Sequence, residues 1–152
     1  MTLTATDPLT VQELAAWRGL LETHAGVTRA LDEEMRTEHG LSVPSYELLM
    51  FLADAPDHRL RMSEIADRVL LSRSGLTRLV DRLVQLGYVT RCSVETDGRG
   101  AYAELTDAGL AKFRSAARTH RDGIRRHFLD RLTATDQVVL GDIWTRLRRP
   151  DA

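Results

Sequence analysis

The sequence predicts a mainly α fold with a small β wing, organised as a winged helix-turn-helix lobe between long helical ends. Three observations point there. Apolar residues recur at helical spacing near both termini, a brief helix and a second helix are joined by a tight turn mid-chain, and two extended runs follow around Asp97-Gly98. With 152 residues, 43% of them apolar and 28% charged, the chain suits one domain spanning residues 1–152. There is no internal repeat, low-complexity tract or flexible linker, only short tails at 1–8 and 148–152.

The first helix should begin at Thr10, whose hydroxyl can cap the backbone while Glu13 reaches back in a capping box. Leu14, Trp17, Leu21, His24, Thr28, Leu31 and Met35 then place one seam on a single face until Gly40 stops the helix. Leu110, Phe113, Ala117, His120, Ile124 and Phe128 repeat that spacing near the C-terminus. A last helix carries Val139, Leu140, Ile143, Trp144 and Leu147 behind a Thr133 cap with Asp136. These three terminal helices are expected to bury one another.

Between them, Ser42 or Val43 opens a second helix with Pro44 in its first turn, where a missing N–H costs nothing. Tyr46, Leu49, Met50 and Phe51 supply its apolar surface, and Ala55-Pro56-Asp57 ends it. After a short extended piece, His58 to Arg61, Ser63 should cap a brief helix with Ile65, Ala66 and Val69 inward. The chain turns at Leu70-Leu71-Ser72 into helix 72–87, whose inward face is Leu76, Leu79, Val80, Leu83 and Leu86, with Gly87 closing it. Two strands, Tyr88 to Val94 and Ala101 to Leu105, form a hairpin. It must lean on the preceding helices, because an isolated hairpin is not stable.

Composition removes several functional classes. The longest apolar run, Leu48 to Ala53, is far short of the roughly 18 residues of a membrane span, and no basic residue precedes Arg18 to start a signal peptide. A soluble cytoplasmic protein with no membrane partner is expected. The lone Cys92 cannot form an internal disulfide or a multi-cysteine zinc site. Phosphate-cradling glycine loops, nucleophile elbows and metal-ligand helix motifs are missing, so no enzyme activity, cofactor or metal is expected. Net charge is −1, yet residues 58–104 hold eight arginines against six acids. The basic part of the chain is its middle.

Helix 72–87 concentrates that charge. Its outer face carries Arg73, Ser74, Thr77, Arg78, Arg82 and Gln85, with Asp81 the only acid. One α-helix fits the major groove of B-DNA, and arginine forks onto guanine O6 and N7. Arg73, Ser74, Thr77 and Arg78, near the helix start, are expected at base edges, Arg82 on a phosphate, and the N-terminus at Ser72 against phosphate. Arg99 between two glycines can enter a minor groove, with Asp97 holding Arg91 or Arg99 by a charge-assisted hydrogen bond. A solvated polar face is the ordinary reading of such a helix, and Asp97-Gly98 alone is turn chemistry. Three arginines on one face, flanked by a helix-turn-helix and a hairpin, outweigh it. The competing function, a winged-helix protein-interaction or dimerisation module without sequence-specific DNA binding, would favour apolar or aromatic anchors on that face.

Three stretches together resemble the MarR (multiple antibiotic resistance regulator) family of transcription factors: Leu41-Ser42-Val43-Pro44 before Tyr46-Glu47-Leu48-Leu49, then Met62 to Arg91, then Asp97 to Gly109. The family's wing Asp-x-Arg and its Leu-Thr-x-x-Gly fall on Asp97, Arg99, Leu105, Thr106 and Gly109. Gly75 inside helix 72–87 is a mild departure that weakens helix propensity. The resemblance implies a winged helix-turn-helix DNA-binding lobe at 42–105 plus a helical dimerisation region from helices at 10–39 and 106–148. It further implies a homodimer on a pseudo-palindromic operator in double-stranded DNA, acting as a repressor and released by a small aromatic or anionic effector. By the same analogy Trp17, His24, Tyr46 and Met50 are the candidate ligand-binding residues, although aromatics and Met at helical spacing are ordinarily plain core. His24 and His120 read as hydrogen-bonded core or interface histidines, with no metal-ligand spacing around them.

Overall fold

In the computed structural model, which describes residues 7–69, 72–93 and 101–148, helices begin where side chains satisfy their first N–H groups. Helix α1 (Val11–His39) starts with the capping box: Thr10 Oγ1 accepts from the Glu13 N–H at 3.2 Å, and Glu13 Oε2 accepts from the Thr10 N–H at 2.7 Å. It ends at Gly40, whose φ of +67° reverses the chain as glycine readily can. Helix α2 (Val43–Asp54) follows from the Ser42 cap, and Asp32 of α1 accepts the Val43 N–H at 2.9 Å. That bond ties the two helices together. A 3₁₀ turn at Pro56–His58 leads to β1 (Arg59–Arg61), α3 (Met62–Arg68) and α4 (Arg73–Gln85). Then come β2 (Val89–Ser93), β3 (Ala101–Leu105), α5 (Asp107–His127), a 3₁₀ turn at Leu129–Arg131, and α6 (Ala134–Leu147) behind its Thr133–Asp136 capping box.

The wing is a three-stranded antiparallel sheet in the order β1-β3-β2 rather than a bare hairpin. The extended piece at 59–61 supplies the extra strand because Leu60 buries itself opposite Ala103, anchoring the sheet to the lobe. Two other expectations need correction. Ser63 does not cap α3; β1 runs straight into the helix, Arg61 holds the capping position, and Glu64 Oε2 accepts the Arg61 N–H at 2.7 Å. Leu86 does not face inward. Regular helix stops at Gln85, Gly87 turns the chain at φ +76°, and Leu86 is left 45% exposed.

The core lies within the lobe. Leu48, Leu49 and Leu52 of α2, Ile65 of α3, Val80 and Leu83 of α4, Val89 of β2 and Ala103 of β3 are fully buried, joined by Met35 of α1 and Ala116 of α5. Each large aliphatic side chain among them contributes roughly 1.5–3 kcal/mol by leaving water. The second half of α1 packs on α5, where Glu34 accepts from Arg126 at 2.9 Å and pairs with His127 at 2.7 Å above Gly123. The mutual burial expected of the terminal helices stops there. Trp17 and Leu21 in the first half of α1 are 54% and 49% exposed, and α6 has no buried residue. No described helix is long and apolar enough to cross a membrane.

Candidate nucleic-acid interface

Helix α4 is set by its two faces. Leu76, Val80 and Leu83 hold one side in the core, which leaves Ser74, Thr77, Arg78, Asp81, Arg82 and Gln85 exposed on the other. Ser72 Oγ accepts the Gly75 N–H at 3.2 Å, so the helix begins where the sequence placed it, and Arg73 is its first residue. Among the described residues no carboxylate lies within ion-pair distance of Arg78 or Arg82. Both guanidinium groups are exposed, with their donors free of any carboxylate among the described residues. Val84 and Leu86 are part-exposed near the end of the helix, so this surface is not wholly polar, but it carries no aromatic anchor.

Asp81, the one acid of this face, is already engaged. Its carboxylate meets Arg91 Nη2 at 2.8 Å, and Arg91 stands on β2 opposite Ala103, on the side of the sheet that faces the lobe. Arg91 therefore braces the wing against α4 through the one acid of that helix's outer face. Asp97 and Arg99, the expected tip contacts, lie outside the described residues.

A cleft of about 770 Å³ opens between α1, the start of α2 and α4. Arg29, Asp32 and Arg36 line it from α1, Pro44 from α2, and Arg78 and Arg82 from α4. Of the four expected ligand residues only His24 lies on it. Tyr46 is buried in the core, its ring 5.5 Å from Phe113 and 4.4 Å from His120; Met50 packs part-buried on that core; Trp17 stands exposed on α1. Within one chain these four do not line one cleft: Tyr46 and Met50 lie one turn apart on α2, and the Tyr46 ring packs on Phe113 and His120 of α5. Burial raises the Tyr46 phenol and the Glu47 carboxyl above their ordinary pKa and lowers that of His120. Sequence reading missed the α1 arginines of the cleft, although Arg29, Asp32 and Arg36 recur at spacings of three and four on one side of α1. Among the described residues no group of three or more His, Cys, Asp or Glu side chains is arranged to hold a metal ion.

This arrangement matches proteins of known structure over nearly its whole length. Sco3205, a MarR family transcriptional regulator from Streptomyces coelicolor solved in complex with DNA, is 35% identical, with a TM-score of 0.87 over 95% of this chain and 96% of that one. AbsC, a MarR family regulator from the same organism, is also 35% identical, with a TM-score of 0.85 over 94% of this chain and 99% of its own. A sequence model of the MarR family matches residues 39–100. The chain belongs to the MarR family of transcriptional regulators. Among curated relatives, the HTH-type transcriptional repressor YetL of Bacillus subtilis is 32% identical over 111 residues, 71% of this chain and 66% of YetL. The HTH-type transcriptional regulator PrsX of Escherichia coli is 29% identical over 106 residues, 70% of this chain and 54% of PrsX. The match thus spans about half to two-thirds of these curated relatives.

The MarR pattern Leu-Thr-x-x-Gly has a physical basis here. Thr106 Oγ1 donates to the Gly87 carbonyl at 2.7 Å and accepts the Gly109 N–H at 3.0 Å, so one hydroxyl caps α5 and pins it to the end of α4. A Cβ on Gly109 would stand 2.1 Å from the Tyr88 carbonyl oxygen, and the close approach of α5 to the wing requires that it be absent. The helix carrying Arg78 and Arg82 is thereby fastened to the helix leading toward the C-terminus.

Proposed function

We propose that this MarR-family chain is a homodimeric DNA-binding repressor that reads a pseudo-palindromic operator through α4 and the wing and is released by a small ligand. The observation that carries this reading is the exposed, uncompensated pair Arg78 and Arg82 on a helix whose other face is locked in the core. DNA in the Sco3205 complex and the repressor name of YetL support it. Ser74, Thr77, Arg78 and Arg73 take base edges, Ser72 and Arg82 take phosphate, and Arg91 sets the wing angle through Asp81 while Asp97 and Arg99 serve the tip.

Dimerisation is supported by the apolar seams that one chain leaves bare on the first half of α1 and on α6. Covered by a second copy, these helices form the dimerisation region, and the two-fold axis sets recognition helices about 34 Å apart for successive major grooves. The cleft between α1, α2 and α4 supports ligand release. Its arginines suit an anionic or aromatic effector, and a ligand there lowers DNA affinity only by binding the DNA-incompetent arrangement more tightly.

The test is a titration of a duplex library, at several salt concentrations, with Arg78→Ala and Arg82→Ala. Arg78→Ala should relax preference at one operator position by about 1–3 kcal/mol, and Arg82→Ala should weaken all sequences alike and flatten the salt dependence. Wild-type affinity in both variants overturns the reading.

A further inference from the structure

Two arginines converge on one ring at the outer side of the wing sheet. Because Leu60 turns inward, its neighbours Arg59 and Arg61 turn outward, as alternation along a strand requires, and both are exposed. Arg61 pairs in register with Tyr102, and its Nε donates to the Tyr102 hydroxyl at 2.8 Å. The guanidinium carbons of Arg59 and Arg61 lie 5.2 Å and 5.3 Å from the centre of the Tyr102 ring. A tyrosine face attracts cations without neutralising them, so the ring orders both side chains while leaving their charge intact.

Among the described residues neither guanidinium forms an ion pair with a carboxylate. Glu104 stands opposite Arg59 in the β1–β3 register and accepts from Cys92 Sγ at 3.6 Å, Glu64 accepts the Arg61 backbone N–H, and Asp57 lies two residues before Arg59, yet none of these carboxylates is within ion-pair distance of either guanidinium. The location is equally specific. Tyr102 is the second residue of β3, at the end where the chain returns from the wing tip, and Arg61 immediately precedes α3, the first helix of the helix-turn-helix. In that motif the first helix crosses the DNA backbone while the second enters the groove.

We infer that Arg59 and Arg61, ordered on Tyr102, bind the phosphodiester backbone of duplex DNA beside the half-site read by α4. The inference rests on the DNA-reading function proposed above and adds a contact outside α4 and the wing tip. Arginine forks match phosphate oxygens, and such contacts add affinity and register without sequence preference. Tyr102 acts as a positioning residue, holding the guanidinium groups where a free arginine would pay rotamer entropy to stay.

The experiment is a salt series of binding titrations with the full chain, on an operator duplex and on a random duplex. Arg59→Ala and Arg61→Ala should each weaken both duplexes by the same factor and reduce the log–log salt slope by about one per protomer. Tyr102→Leu should follow them, Tyr102→Phe should lose less because the ring remains, and Arg61→Lys should restore the slope that Arg61→Ala loses. A merely structural role would not be rescued by lysine or read out as a slope. If Arg82→Ala flattens the slope while Arg59→Ala and Arg61→Ala leave it unchanged, this inference falls and the regulator reading stands. If the wild-type chain binds no duplex, both fall.

Discussion

The lobe from α2 to β3 and the two outlying helical segments are built from similar residues and reach opposite states. In the lobe, Leu48, Leu49, Leu52, Ile65, Val80 and Leu83 are sealed from water by their own chain. Along the first half of α1 and the whole of α6, Leu21, Val138 and Val139 sit on amphipathic helices with equally regular caps, yet stay open to solvent. The difference teaches that caps and periodicity make a helix, whereas only a packing partner makes it core. The helix that carries Arg78 and Arg82 is completed within one chain, whereas the first half of α1 and α6 are left with apolar side chains open to solvent.

The largest test of this contrast is truncation. Leu48→Ala should cost about 2–5 kcal/mol in denaturant unfolding, because it leaves a cavity among fully buried neighbours. Leu21→Ala should change stability by no more than about 0.5 kcal/mol when unfolding is followed at dilutions where the chain is a monomer. Equal costs would break the contrast. A second test sharpens it: Leu21→Arg should leave the helical circular dichroism intact and weaken self-association at least about tenfold in sedimentation. An unchanged sedimenting mass would remove the α1 seam from the interface.

The smallest expected effect is in pH. Burial beside Tyr46 lowers the pKa of His120, so the unfolded chain takes up that proton more readily than the folded one. Stability should therefore hold at neutrality and fall as pH drops from about 7 to about 5, and His120→Phe should flatten that fall in thermal unfolding midpoints. Glu34 acts lower on the scale. The hydrogen bond from Arg126, and that of His127, lower its pKa against the opposing effect of burial, so its contribution is present above the ordinary carboxylate range and is lost only below about pH 4. A His120→Phe profile that still falls above pH 5 would show that another group controls the joint between α5 and the lobe.

Much of the site was legible before any coordinates, and particular residues show why. Ser72 as cap and Leu76, Val80 and Leu83 as inward face follow from spacing along one helix, so the exposed side with Arg78 and Arg82 followed too. The Asp81–Arg91 brace was not legible, since ten residues and a chain reversal separate its partners. Nor was β1's pairing: three residues with one apolar side chain carry too little pattern to name a partner strand. The four residues that analogy grouped as a ligand site do not line one cleft within a single chain, and the direction of Tyr46 was decided by Phe113 and His120 on α5.

Sequence alone determined where α1, α2, α4 and α6 start, which side of α4 faces out, and the turn at Gly40, because capping bonds and helical periodicity act over three or four residues. Tertiary structure decided which seams found cover, which acid holds Arg91, and that Arg59 and Arg61 share one tyrosine. Those outcomes depend on distances between segments far apart in the chain, and such distances exist only once the core has closed.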